Sequence, residues 1–388
     1  MHITCAAFFS AAKVPLALNV IIIVNKLNTV IIVLYFLLLG FLFFGTVLFI
    51  ILKKININTA AMAAVMAFGI VTQGVLLNFF GMPFYLGGFG KILSIADLAL
   101  WLAFLVSIGM TIFKGEFKRL HYANPINRFG IGTWVAGTSI CGIMFFRQFG
   151  AGAEAQALAI LNAGLWLVYI WISIRGFKEL RAAPFGRQAH GVLLLTTVST
   201  QSLVLLFNTV FNEVPGFLNA SLILAGFLLY LISAWFILKR YAVRGWNLAK
   251  DWNNTNCIFH GALSISGLAM VKSGIASGSA AMWFWLAVFL VFMIVEGIEI
   301  IRLVWRIRMY GIKEGIFTYD VTQWSRIFTF AMFFTFTFFI ESPLQAIILN
   351  TGIWIILLLL GIEVFLSAGS LRRKHVQVQP VFRKESSV

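Results

Sequence analysis

Charge is what this sequence has least of: 11% of its 388 residues are Asp, Glu, Lys or Arg, against roughly 25% in soluble domains. A water-facing surface cannot be built from so little, which excludes a soluble enzyme, a nucleic-acid binder and a disordered scaffold. Cysteine is nearly absent as well. Cys5, Cys141 and Cys257 lie in apolar segments without CxxC spacing, so neither a zinc site nor a disulfide framework is indicated. There is no P-loop and no HExxH, and His2, His121, His190, His260 and His375 stand singly. No cofactor, metal or nucleotide chemistry is expected, and no enzyme activity. Acids are the scarcer charge: 13 Asp and Glu stand against 29 Lys and Arg, a formal +16. In so apolar a chain that excess reads as membrane topology rather than nucleic-acid binding.

What is present is apolar length. The chain is 61% hydrophobic, with mean hydropathy +0.96. A helix crossing the hydrocarbon core needs about 20 largely apolar residues. Such windows fall at 29–52, 60–80, 92–113, 129–147, 156–174, 190–211, 217–238, 257–274, 281–304, 325–347 and 350–369. They are too long and too uniformly apolar for barrel strands, which would be roughly 10 alternating residues. The expectation is an all-α polytopic membrane protein of eleven spans. Residues 1–28 precede them as an interfacial or disordered segment, because the run Val14–Val24 between Lys13 and Lys26 is too short to cross. An extra helix and basic linker (29–59), a ten-helix domain (60–369) and a basic tail (370–388) follow.

The basic residues alternate by loop. Lys53 and Lys54, then Lys114, Lys118, Arg119 and Arg128, then Arg175, Lys178, Arg181 and Arg187 fall on one side. Lys239, Arg240, Arg244 and Lys250, then Arg302, Arg306, Arg308 and Lys313, and finally the tail, fall on the same side. The intervening loops carry only Lys91, Glu154, Glu213 and Glu341. This pattern places the C-terminus in the cytoplasm of a cell (plasma or inner) membrane, and an odd span count puts the N-terminus outside.

Counting the ten spans after the first as one to ten, the polar residues favour the odd ones. Span 5 alone carries His190, Thr196, Thr197, Ser199, Thr200, Gln201, Ser202 and Asn208. Polar groups facing lipid are costly, so the odd spans are expected inside and the even spans outside. Thr133, Thr196, Thr200, His260, Ser264, Arg326 and Thr329 are then candidate pore-lining residues. Ser, Thr and Gly also mediate close helix packing, and that reading stays open. Arg147, Lys272 and Arg326 are the basic residues within or ending odd spans, and no carboxylate lies inside one. A polar, cationic interior favours anions, with Arg147 and Lys272 attracting them. Alternatively Arg147 and Lys272 snorkel to water, and Arg326 pairs with Asp320 or an outer-ring Glu. Glu296, Glu299 and Arg302 stack on one face of span 8, where Glu299 and Arg302 can pair. The polar stretch Asn247–Asn256 either lines a vestibule or caps the next helix. The basic tail either binds anionic headgroups or is topology signal.

Five segments resemble the tellurite-resistance/dicarboxylate transporter family, which includes the plant slow anion channels. They are the glycine-bearing Ala61–Ile70, the stretch His121–Gly130, the approach Ala183–Arg187, the Ser/Gly-rich Ile258–Gly267 and Gly315–Phe328. The resemblance covers about 60–369. It implies five helical hairpins around a central pore, with odd helices inside, and a homotrimer, which family members often form. It also implies a gating phenylalanine on the ninth helix, and the matching position is Phe328. Phe330, Phe333 and Phe334 are its neighbours on the same helix. The chain departs from the family in its first 59 residues, in Thr329 where proline is usual, in Gln323 for a tryptophan and in the added charge of Arg326.

The expected function is passage of small inorganic or organic anions (halide, nitrate or small carboxylate) across the lipid bilayer. The alternative is a proton-coupled dicarboxylate or oxyanion carrier in which His190, His260 or the span-8 Glu pair titrates. A non-transporting sensor or scaffold is the remoter reading, with the extra helix as its docking element. No nucleic-acid partner is expected.

Overall fold

The computed structural model describes residues 13–150, 152–181, 185–243 and 245–373. Among them there is no strand. A backbone in lipid has no water to bond with, so each apolar run closes its hydrogen bonds within itself as helix. An N-terminal helix, Lys13–Leu52, is followed by ten more. These are α1 (Ala63–Phe80), α2 (Gly88–Phe113), α3 (Pro125–Phe149), α4 (Gly152–Leu180), α5 (Gly191–Val210) and α6 (Gly216–Ala242). Then come α7 (Ile258–Lys272), α8 (Gly278–Ile316), α9 (Trp324–Phe338) and α10 (Gln345–Arg373).

Among the described residues, nine of these helices are long and apolar enough to cross a membrane. The chain is a multi-pass, membrane-embedded protein. Eleven spans were expected, and the two that fall short are α7 and α9, of 15 residues each. At 1.5 Å per residue each is about 22 Å long, less than the roughly 30 Å hydrocarbon core. Each is preceded by a 3-10 turn, Asn254–Cys257 or Val321–Gln323. Of the segment 1–28, expected to be interfacial or disordered, residues 13–28 are helical and form the first part of the 40-residue N-terminal helix. Its apolar run is continuous with the span beyond Lys26. Residues 1–12 lie outside the described residues, as does the tail beyond Arg373.

Helices α1, α3, α5, α7 and α9 touch in a cycle, each packing on the next and α9 on α1. The apolar windows of α1, α3 and α5 are the most buried, 72%, 89% and 83%, against 22% for α8 and 17% for α10. Helix α2 packs on α1 and α3, α4 on α3 and α5, and α6 on α5 and α7. Helix α8 lies on α7 and sends the Trp285 indole N–H to Thr337 of α9, 2.9 Å away. Helix α10 lies on α9, and the N-terminal helix on α2. Two glycines permit close approaches to α9. A Cβ at Gly74 would run into Thr335 Oγ1, joining α1 to α9, and one at Gly261 would run into Thr329, joining α7 to α9. Small residues let backbones meet where lipid supplies no hydrophobic drive.

Each helix of the cycle begins the same way. Asn58 accepts from the N–H of Ala60 at 2.9 Å, Asn124 from Ile126 at 2.8 Å and His190 Nδ1 from Val192 at 3.4 Å. Asn253 accepts from Thr255 and Asp320 from Thr322, both at 2.9 Å. The five caps are spaced by 66, 66, 63 and 67 residues. A side-chain acceptor two residues ahead of a free N–H satisfies one of the orphan donors at a helix start. In apolar runs that could begin a helix anywhere, this sets where each one starts.

Candidate functional site

The C-terminal halves of the five cycled helices enclose a cavity of about 440 Å³. Helix α1 contributes Ile70, Gln73, Gly74, Leu77 and Asn78, and α3 contributes Ser139, Ile140, Ile143 and Arg147. Ser202, Leu205 and Thr209 come from α5; Ile265, Leu268 and Lys272 come from α7; Met332, Thr335 and Phe338 come from α9. No carboxylate is among the lining residues, whereas two cations are. Lys272 is held against the wall, its Nζ 3.8 Å from the ring centre of Phe339. Residues Val71–Leu76 of α1 are π-helical, a widening often found at functional sites. It turns Gln73 so that its amide N–H bonds Ile140 O of α3 at 3.0 Å.

Phe328 is buried to 1% exposure. It precedes Met332 and Thr335 by four and seven residues, so the three share one face of α9. That places it a turn beyond the cavity floor, toward the helix start. It belongs to the main buried apolar cluster, which also contains Met66, Ala136, Val198 and Ile265. The other phenylalanines of this run turn elsewhere. Phe330 and Phe333 pack on Phe292 of α8, Phe334 lies against Gly352 of α10, and Phe336 against Gly267 of α7.

The remaining predicted pore-lining residues do not line the cavity. Arg326 points outward and pairs with Glu299 of α8 at 2.7 Å, the ion pair that stood as its alternative. His260 Nε2 meets Glu296 of α8 at 3.2 Å. Thr196 bonds Leu193 O and faces Ser233 of α6. Thr200 bonds Thr196 O and receives the Trp166 indole N–H of α4. Ser264 returns its hydroxyl to His260 O, and Thr133 bonds Gly130 O and Thr59 O. Thr329 sits against Gly261 in the α7–α9 seam. Hydroxyls that can reach a carbonyl three or four residues back are satisfied without a lumen; the cavity-lining Ser202, Thr209 and Thr335 bond the same way, so such a bond does not separate packing from lining. Arg147 and Lys272 do share the cavity. Gln73, Asn78, Ser139, Ser202, Thr209 and Thr335 line it and were not singled out as site residues. The signal that finds them is phase: Ser139, Ile143 and Arg147 repeat at four, as Ile265, Leu268 and Lys272 do at three and four.

A second polar cluster lies at the other end of α7 and α9. Glu299, 4% exposed, accepts from the Trp252 indole at 2.8 Å and from Arg302 at 3.2 Å, and forms an ion pair with Arg326 at 2.7 Å. Arg302 also donates to Asn254 at 2.6 Å. The carboxylate thereby ties the 247–256 segment and α9 to α8. Asn247 and Asn253 act as caps there, and Asn254 as a network member. Among the described residues no three His, Cys, Asp or Glu side chains group as a metal site.

No protein-family model matches the chain, and no curated protein matches it.

Proposed function

We propose that the chain conducts small anions through a central pore along the axis of the α1–α3–α5–α7–α9 cycle, with Phe328 as the gate. In this reading the ten helices are five hairpins, inner and outer, and the N-terminal helix is an addition. The observation that carries it is the cavity to which all five cycled helices contribute, holding Arg147 and Lys272 and no carboxylate. Two cations in a confined space raise the local concentration of anions and repel cations. The amide and hydroxyl groups of Gln73, Asn78, Ser139 and Thr335 can replace part of an anion's hydration. Beyond them the apolar level of Met66, Ala136, Val198 and Phe328 gives a dehydrated ion no partner, so it blocks by sterics and dewetting. The resemblance to the tellurite-resistance/dicarboxylate transporter family supports the same reading, as does the charge map, which directs the cavity away from the cytoplasm.

The His260–Glu296 contact favours one further reading, a proton-coupled carrier of dicarboxylate or oxyanion. The test that separates them is anion flux in proteoliposomes under an imposed potential, with chloride and nitrate, comparing the wild type with Phe328→Ala. A low wild-type flux that rises sharply in Phe328→Ala is expected. No electrogenic flux from either protein refutes the pore, and flux that appears only with a proton gradient assigns the carrier.

A further inference from the structure

Three arginines meet off the axis of the cycle, between the ends of α8, α9 and α10. Arg302, Arg306 and Arg326 all line a cleft of about 200 Å³. Glu299 answers two of them; Arg306 makes no ion pair among the described residues. The Nε of all three arginines is buried, and no described acceptor reaches it. Buried guanidinium donors left unpartnered are costly, and three converging on one cleft form a fork-lined anion site.

The cleft has two different sides. Its far wall is the apolar face of Leu359, Ile362 and Leu366 on α10, beside lipid. Arg302 and Arg306 also line a neighbouring cavity of about 750 Å³, whose other walls include Lys250, Tyr310, Glu314 and Asp320. An occupant bridging the two needs an anionic centre at the arginines, an aliphatic part along α10 and a polar part toward Lys250. Glu363 Oε1, also in the cleft and without a described partner, asks for a hydroxyl donor nearby.

We infer that this cleft binds an anionic phospholipid with a hydroxylated headgroup, its phosphate seated on Arg302, Arg306 and Arg326. Basic pockets between membrane helices on the positive side of a protein hold such headgroups. The site is separate from the central cavity and stands whether or not that cavity conducts.

The test uses the full chain purified in detergent micelles doped with phosphatidylglycerol or phosphatidylcholine, with retained lipid counted by native mass spectrometry. The wild type should retain phosphatidylglycerol in preference to phosphatidylcholine. Arg306→Gln should reduce that retention about tenfold, the loss of one charge-assisted contact, and leave phosphatidylcholine unchanged. Arg308→Gln, an exposed neighbour on the same helix, should change neither. If Arg306→Gln does not run as a folded species on size exclusion, Arg306→Lys takes its place, keeping charge but not the Nε donor, and should fall between the two. Equal retention of both lipids by the wild type overturns the inference. So does wild-type retention by the Arg306 variant, or an equal fall in Arg308→Gln, which would mean surface charge alone. Full displacement of the lipid by millimolar inorganic phosphate would assign the arginines to free phosphate and overturn the lipid.

Discussion

On the proposed anion-pore reading, neutralising the two cations of the central cavity should convert a selective site into an indifferent one. A sphere of the cavity's 440 Å³ has a radius of about 5 Å, so an ion inside it is never far from Arg147 or Lys272. A unit anion about 5 Å from one cation gains about 0.8 kcal/mol in a water-like dielectric. The two together contribute about 1.7 kcal/mol, or roughly fifteen- to twentyfold in anion occupancy over a neutral cavity. A monovalent cation is disfavoured by a similar factor. The perturbation is Arg147→Gln with Lys272→Gln, made on a Phe328→Ala background so that current is measurable. The assay is the reversal potential in planar bilayers under a salt gradient, which reads the chloride-to-sodium permeability ratio directly. The double variant should lower that ratio at least tenfold, each single variant by less. Screening over a Debye length of about 3 Å at 1 M salt should shrink the difference. An unchanged ratio at low salt would refute the assignment of these cations to the ion path.

Two other expectations follow from the polar cluster and the caps. Glu299→Gln leaves Arg302 and Arg326 without their shared counter-charge, so it should destabilise the folded chain by about 3 kcal/mol; Glu299→Gln with Arg326→Gln should recover part of that loss in detergent thermal unfolding. Burial, with the Arg240 guanidinium adding to it, pushes the His190 imidazole down to about 3, and its Nδ1 lone pair is the cap acceptor for Val192. The neutral form is therefore the folded form. Stability should fall as pH drops from about 6.5 toward 3, by about 1 kcal/mol per unit. His190→Asn, which keeps an acceptor, should flatten melting temperature against pH over that range.

The membrane class was legible from composition, and the alternation of basic loops matches the helix order. Which residues face the cavity was not. Thr196, Thr200 and Ser264 satisfy their hydroxyls on their own helix, and composition cannot distinguish that from a wet wall. Arg326 carried two readings, and only the position of Glu299 three residues before Arg302 on α8 hinted at the pair that formed. The expected windows 257–274 and 325–347 begin where α7 and α9 begin; α9 was overestimated at its far end, where the helix stops at Phe338 although the sequence stays largely apolar beyond it. The repeating caps were hidden because their chemistry changes, Asn at three positions, His at one and Asp at another.

The shortness of α7 and α9 bears on where the membrane voltage falls. A potential drops across low dielectric, and in the proposed pore water enters the 440 Å³ cavity from one end and the polar surroundings of Asn253–Asn256 and Asp320–Gln323 from the other. In that proposal, what insulates is the apolar level around Phe328. An elementary charge crossing it meets about 2.3 kcal/mol per 100 mV within a couple of helical turns rather than over the whole bilayer. The field there is steeper than in the surrounding lipid. Small changes in the side chain at position 328 therefore act at the point where the voltage is spent.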